Sequence, residues 1–352
     1  MSGIRLSPLQ QIPGARRLAG LQEGASYRRR PPRKLLVHGD AVRPALERHY
    51  QRLVVQAPEV ALWAIPDALV FGKGIIVMGD AVVQENTEGA PMPKILEKLH
   101  QAVPAPEVVI EEPILYTTRY GVLNYGHCLT DIVPRIVWAL RADPSLKAAL
   151  HPEFVPMARW AMWALGIEND RLVTLDERPT CLKQGLYVSP CSLHPLVHLP
   201  AALRLLRDGL LPLIDYAKEL QFPRRIHVSR DDARSRHFYN HRDVVQALHG
   251  RGFEDVTTGR LTLVEQVALF AQAESIVGIA GASMTNILFA REGTPVRLLA
   301  PSTMPALYYW DIAEQLGLDY GIAYFETDEE DQAQGIHASF SAPVAQVLAL
   351  LD

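Results

Sequence analysis

Between Arg225 and Leu299 short apolar runs alternate with stretches of helical periodicity, and this alternation restricts the chain more than any other feature of it. Arg225-Ile226-His227-Val228-Ser229, Phe253 to Val256, Ser275-Ile276-Val277-Gly278-Ile279 and Val296-Arg297-Leu298-Leu299 have the length and β-branched content of strands. The segments between them carry helix signals. Asn240 stands as the N-cap of a helix that stops at Gly250, and Thr262-Leu263-Val264-Glu265 has the form of a capping box opening a helix to about Ala273. Gly281-Ala282-Ser283 turns into a third helix, from about Met284 to Ala290. Strands and helices alternating at this spacing predict a parallel sheet with helices on both faces, because a parallel neighbour needs a long crossover.

The N-terminal half is less regular. Residues 1–33 are rich in Pro, Gly, Arg and Gln without periodicity, which predicts an irregular arm. Leu35-Leu36-Val37, Leu53-Val54-Val55, Ile75-Ile76-Val77, Val108-Val109-Ile110 and Ile114-Leu115-Tyr116 read as short strands. The turn Asn124-Tyr125-Gly126 leads into a helix from near Cys128 to Arg141, with Leu129, Ile132, Val133, Ile136 and Leu140 on one side. His127, Asp131 and Arg135, spaced four apart, then line the other side. Val155 to Leu165 is a further helix, Leu172-Val173-Thr174 and Leu186-Tyr187-Val188 are strands, and Ala201 to Lys218 is a helix leading onward. The expected division is an arm over 1–33, an N-terminal α/β lobe over 34–200 and a C-terminal Rossmann-like lobe over 201–352.

Bulk properties agree with two folded lobes. A chain of 352 residues exceeds what one core usually organises, and 48% apolar with 21% charged residues is the composition of a folded protein. The formal net charge is -4 with the cations spread along the chain, so no footprint for nucleic acid stands out. One basic run, Arg28-Arg29-Arg30-Pro31-Pro32-Arg33-Lys34, reads either as a contact for an anionic membrane surface or as a solvated linker. Three cysteines without a CxxC pair argue against a disulfide framework or a structural zinc site and point to a cytoplasmic setting. No apolar run reaches the length of a membrane span.

Two loops have residues suited to an anion. Ser229-Arg230 directly follows a strand, where a guanidinium clasps a pyrophosphate or instead pairs with Asp231 or Asp232. Gly281-Ala282-Ser283-Met284-Thr285-Asn286 lets backbone amides at a helix start approach an anion, or is a tight turn that needs Gly281 for its backbone. There is no GxGxxG, no GxxxxGK[ST] and no Asp-x-Asp, and Asp328-Glu329-Glu330-Asp331 is a solvated turn, which predicts chemistry without a metal. His127 and Asp131 are the acid/base candidates, the alternative being Asp131 as an N-cap with Pro134 in the first turn.

These residues carry a resemblance. Asn124-Tyr125-Gly126-His127-Cys128-Leu129-Thr130-Asp131-Ile132-Val133-Pro134-Arg135-Ile136 resembles the Asn-x-x-His-x-x-x-Asp-x-x-Pro-Arg-Leu signature of glycosyltransferase family 61. Further elements follow in the family's order: Ile226 to Arg230, Asn240, Gly252-Phe253-Glu254, Glu265-Gln266, and Ala280 to Asn286, which is similar to its His-Gly-Ala-Gly-x-Thr-Asn loop. The resemblance covers about residues 108 to 301. It implies an α/β fold of GT-B type, two Rossmann-like lobes facing across a cleft, and inverting, metal-independent transfer of a sugar from a nucleotide-sugar co-substrate, UDP-linked, to a glycan or lipid-linked glycan, with no further cofactor. It implies Asp131 or His127 as the base, with Ser229, Arg230, Gly281, Ala282, Ser283, Thr285 and Asn286 at the donor diphosphate and Glu265 near the nucleoside. It further implies a bacterial setting in capsule, lipopolysaccharide or exopolysaccharide assembly at the inner face of the membrane. The family's loop His is Ala280 here and its second loop Gly is Ser283, so if that His contacts the donor phosphates, either another group, Ser283 or His237, serves, or the donor differs, or activity is lost. A pyruvyltransferase-like enzyme using phosphoenolpyruvate, and a non-catalytic sugar-nucleotide- or glycan-binding subunit, are the alternative functions.

Overall fold

The computed structural model describes residues 4–39, 43–87, 92–119, 124–193, 197–230, 236 and 238–352. Packing divides the chain into two compact units, residues 1–25 with 56–209, and residues 26–55 with 210–352. This differs from the expected division: 26–55 joins the C-terminal unit. Nor is the arm irregular. Arg5–Ser7 pairs in parallel with Ala81–Val83, and Arg16–Gln22 runs antiparallel to Val60–Ala64 with two register shifts. Both are edge strands, and the second is largely exposed, so backbone pairing holds them and no alternating side-chain pattern marks them.

The first unit holds two six-stranded sheets. In one, the strands Leu172–Thr174, Lys147–Leu150, Ile114–Tyr116 and Gly185–Val188 lie side by side and parallel, followed by Val60–Ala64 and Arg16–Gln22 in antiparallel fashion. By position in the chain the parallel four run 3-2-1-4, the order of one half of a Rossmann sheet. A helical segment over 125–142 makes the first crossover and Val155–Ala164 the second. The other sheet pairs 5–7, 81–83, 75–78, 68–71, 180–182 and 108–110 in that order. Side chains of both sheets, among them Ile65, Val70, Ile76, Tyr116, Ala149 and Tyr187, share one apolar core.

The second unit is built on a single sheet. Its strands are β1 (Lys34–Val37), β2 (Arg225–Val228), β3 (Glu254–Val256), β4 (Ser275–Ile279), β5 (Pro295–Pro301) and β6 (Asp319–Phe325), with helices α1 (His241–His249), α2 (Leu263–Gln272), α3 (Leu307–Gln315) and α4 (Val344–Leu351). The order is β3-β2-β4-β5-β6-β1, parallel throughout, as the alternation of apolar runs and helices predicts. The series does not close at β5: β6 follows, and β1 arrives from the N-terminal segment. The capping box forms, with Glu265 Oε2 accepting from the Thr262 amide at 2.7 Å. Asn240 precedes α1 but caps nothing. Its side chain instead bonds both backbone groups of Ala342 at 2.8 and 3.0 Å. The helix after Gly281 is wound as a 3-10 helix over Ala282–Phe289.

The basic run is part of this unit's packing. Arg29 is buried, stacks over Trp310 at 4.0 Å and pairs with Asp311 at 3.2 Å. Arg30 pairs with Glu314 at 3.1 Å, Arg33 reaches Asp319 at 3.8 Å, and Lys34 opens β1. Arg29 is the buried anchor of the segment that carries β1, while the Arg30 and Arg33 side chains stay largely in water. Among the described residues no helix is long and apolar enough to cross a membrane.

Candidate functional site

In an open parallel sheet the loops leaving two neighbouring strands diverge where the strand order reverses, and the crevice beyond their carboxyl ends receives ligands. In the second unit the order runs 2-1-3-4-5 when β1 is set aside, so the reversal lies between β2 and β4. Ser229-Arg230 leaves β2 and Ala280 to Asn286 leaves β4. The two loops touch: a Cβ on Gly281 would collide with the Arg230 guanidinium. Gly281 has φ -178, ordinary extended backbone, so the glycine serves the approach of Arg230 and not a turn conformation. A Cβ on Gly278 would likewise meet the Met284 sulphur.

At the start of the 3-10 helix Ala282 and Ser283 are partly exposed. Thr285 and Asn286 are buried, with the Asn286 amide donating to Gln266 at 2.7 Å and the Thr285 hydroxyl 3.5 Å from that of Tyr308. Their side chains fasten the helix to its neighbours. Glu265 is engaged by Thr262, and Ala280 is wholly buried. A second guanidinium, which the sequence does not single out, joins Arg230. Burial pushes the Tyr309 hydroxyl up, and the charges of Arg236 and Arg230 with the Gly281 amide oppose that shift, which sets both cations around one phenol. Arg236 has φ 59, left-handed backbone that costs a non-glycine residue ~1–3 kcal/mol. Its amide donates to His337 at 3.2 Å. Asp231, Asp232 and His237 lie outside the described residues.

Beside this crevice three more polar groups converge. His227 and Asp255 are register partners on β2 and β3, with Nδ1 and Oδ1 2.7 Å apart. His241, the first residue of α1, brings Nε2 to 3.8 Å from the same oxygen and 3.3 Å from Ser229 Oγ. Burial works to raise the Asp255 carboxyl, but the two imidazoles hold it far below the usual range. No spacing in the sequence announces this group, because strand register and not proximity in the chain assembles it.

The first unit has its own reversal, between Ile114–Tyr116 and Gly185–Val188, and the helical segment over 125–142 begins there. The Asn124 side chain caps it by accepting from the Gly126 amide at 2.8 Å, so Asp131 is not the cap. Asp131 sits instead in a π turn, Cys128–Ile132, that runs directly into Val133–Ala142. On the side opposite the apolar one, Asp131 and Arg135 are both 0% exposed. They neutralise each other at 3.0 Å, with Arg119 at 3.6 Å. Asp131 also accepts from the Cys191 amide at 3.0 Å and the Ser192 hydroxyl at 3.2 Å, and Arg135 Nε donates to Val188 O at 2.9 Å. One carboxylate thereby ties the loops after both strands to the helix between them.

Burial alone would raise the Asp131 carboxyl; Arg135, Arg119 and the Cys191 amide outweigh it and hold it below the ordinary carboxylate value. Burial pushes the Cys128 and Cys191 thiols up, away from nucleophilic thiolate. His127, one turn before Asp131, is partly exposed and close enough to feel its charge. Of the two acid/base candidates, His127 is therefore the one that water reaches.

No curated protein matches this chain. The glycosyltransferase 61 family matches residues 125–297, which begin with the helix of His127 and Asp131 and end within β5. That stretch takes in both strand reversals' following loops except the segment around Arg119. On this match the chain is a glycosyltransferase, and the family that the match supports for it is glycosyltransferase 61.

Proposed function

We propose that the chain moves a sugar from a UDP-linked donor to a glycan or lipid-linked glycan with inversion and without a metal at the diphosphate, in the bacterial capsule or lipopolysaccharide setting that the resemblance implies. The observation that carries this is the packing of Arg230 onto Gly281 at the reversal between β2 and β4, with Arg236 beside it and a helix start behind. Guanidinium groups beside a helix start match the charge that a departing nucleoside diphosphate develops. The acceptor oxygen attacks the anomeric carbon, the bond to the diphosphate breaks with its electron pair leaving on phosphate oxygen, and the acceptor proton passes to a base. We assign that base to His127, which is partly exposed and lies one turn before the buried Asp131. Rossmann-type strand orders in both units support the GT-B class. Because position 280 is buried, the role of the family's loop histidine passes to Arg236 and Ser283.

Calorimetric titration with UDP, paired with a turnover assay on nucleotide sugars, tests this. UDP is expected to bind, and Arg230→Ala to weaken it ~10–100-fold, the worth of a charge-assisted pair. A melting temperature raised by phosphoenolpyruvate and not by nucleotides would hand the site to pyruvyl transfer.

A further inference from the structure

We propose that His227, His241 and Asp255 bind one divalent transition-metal ion of the zinc class, at the carboxyl ends of β2 and β3 and the start of α1. Three separate elements supply the donors. His227 and Asp255 face one another in register on neighbouring parallel strands, so their side chains leave the sheet on the same face, and α1 brings His241 over them. The three donor atoms lie within 4.8 Å of one another, with separations of 2.7 and 3.8 Å from Asp255 Oδ1 to the two imidazoles. Ligands about 2.1 Å from a tetrahedral ion stand about 3.4 Å apart, so side-chain shifts of about 1 Å complete the geometry. The ion would lie between His227 Nδ1, Asp255 Oδ1 and His241 Nε2.

Two imidazoles and one carboxylate are a borderline donor set, suited to zinc and its neighbours and not to magnesium or calcium. Exposure grades from 1% at His227 through 15% at His241 to 28% at Asp255, which gives the ion a way in past the carboxylate. Three protein ligands leave a fourth position, filled by water or by Ser229 Oγ, 3.3 Å from His241 Nε2. A Ser-His-Asp relay does not explain the cluster, because Ser229 and Asp255 approach the same nitrogen of His241. A cation here would fix Ser229, the residue before Arg230, without touching the diphosphate. The proposal does not rest on sugar transfer.

The test is calorimetric titration of chelator-treated protein with zinc chloride, with cobalt(II) as an optical probe for tetrahedral coordination. One ion per chain is expected at about micromolar affinity or tighter. His241→Ala and Asp255→Asn should each weaken it ~100-fold, read on variants that circular dichroism shows to be folded without metal. Folded protein that gives neither zinc heat nor cobalt absorption overturns the proposal, as does stoichiometric binding that both substitutions leave intact.

Discussion

The two units place charged side chains at the same topological position and use them in opposite ways. In the first, the strand reversal is tied shut: Asp131 draws two arginines, an amide and a hydroxyl onto itself with no exposure to water. In the second, Arg230 packs against a glycine at the partly exposed start of a helix, and the charges of Arg230 and Arg236 both act on the Tyr309 hydroxyl. A strand reversal creates a crevice; whether it binds something depends on whether the chain supplies the counter-charge itself. Asp131 supplies it in the first unit, and His127 at the edge of the knot is the acid/base candidate that water still reaches.

The largest expected effect comes from breaking that knot. Asp131→Asn leaves two buried guanidinium groups without their carboxylate and should cost about 3–5 kcal/mol of stability, read as a lowered denaturation midpoint. An unchanged midpoint with turnover abolished would instead return Asp131 to the role of base. His127→Ala comes next, with turnover expected to fall ~10²–10⁴-fold while UDP affinity and melting temperature hold; wild-type turnover would end its candidacy. In the second unit Gly281→Ala should displace Arg230 and weaken UDP binding about as much as Arg230→Ala does, ~10-fold or more, with little loss of stability because the backbone there suits any residue. An alanine variant with normal UDP affinity would break the link between Arg230 and the donor.

The smallest effect is a pH dependence that separates the units. Because the folded-state value of Asp131 is lowered, its contribution to stability is fully present above its unfolded value of about 3.9 and fades as pH falls through the lower folded value. Acid titration followed by circular dichroism should show that loss below about pH 4, and Asp131→Asn should flatten that part of the curve.

Much of the second unit was legible because its signals are local. The run Ser275 to Ile279 announces a central strand, and Thr262 with Glu265 announces a helix start within four residues. The first unit is harder for a physical reason. Arg119, Asp131 and Cys191 meet only after the chain has crossed the sheet, so the helix over 125–142 shows a polar stripe that folding buries. Arg16–Gln22 was missed because an edge strand open to water needs no apolar alternation. Arg230 and Gly281 were both visible as candidates, yet the reason for the glycine lies in its contact with the arginine, 51 positions earlier in the chain. His227, His241 and Asp255 depend on register, which residue spacing does not encode.

The place of β1 bears on how the protein comes into being. It is made long before β6, the strand it pairs with, and Arg29 beside it meets Asp311 across a separation of 282 residues. Until β6 emerges, the strand lacks that partner edge, while every residue of the other compact unit, 1–25 with 56–209, has already been made. Closing the second unit is therefore a late, long-range event of the slow kind, and the growing chain carries a stranded β-segment and an uncovered sheet edge as its point of greatest exposure to aggregation.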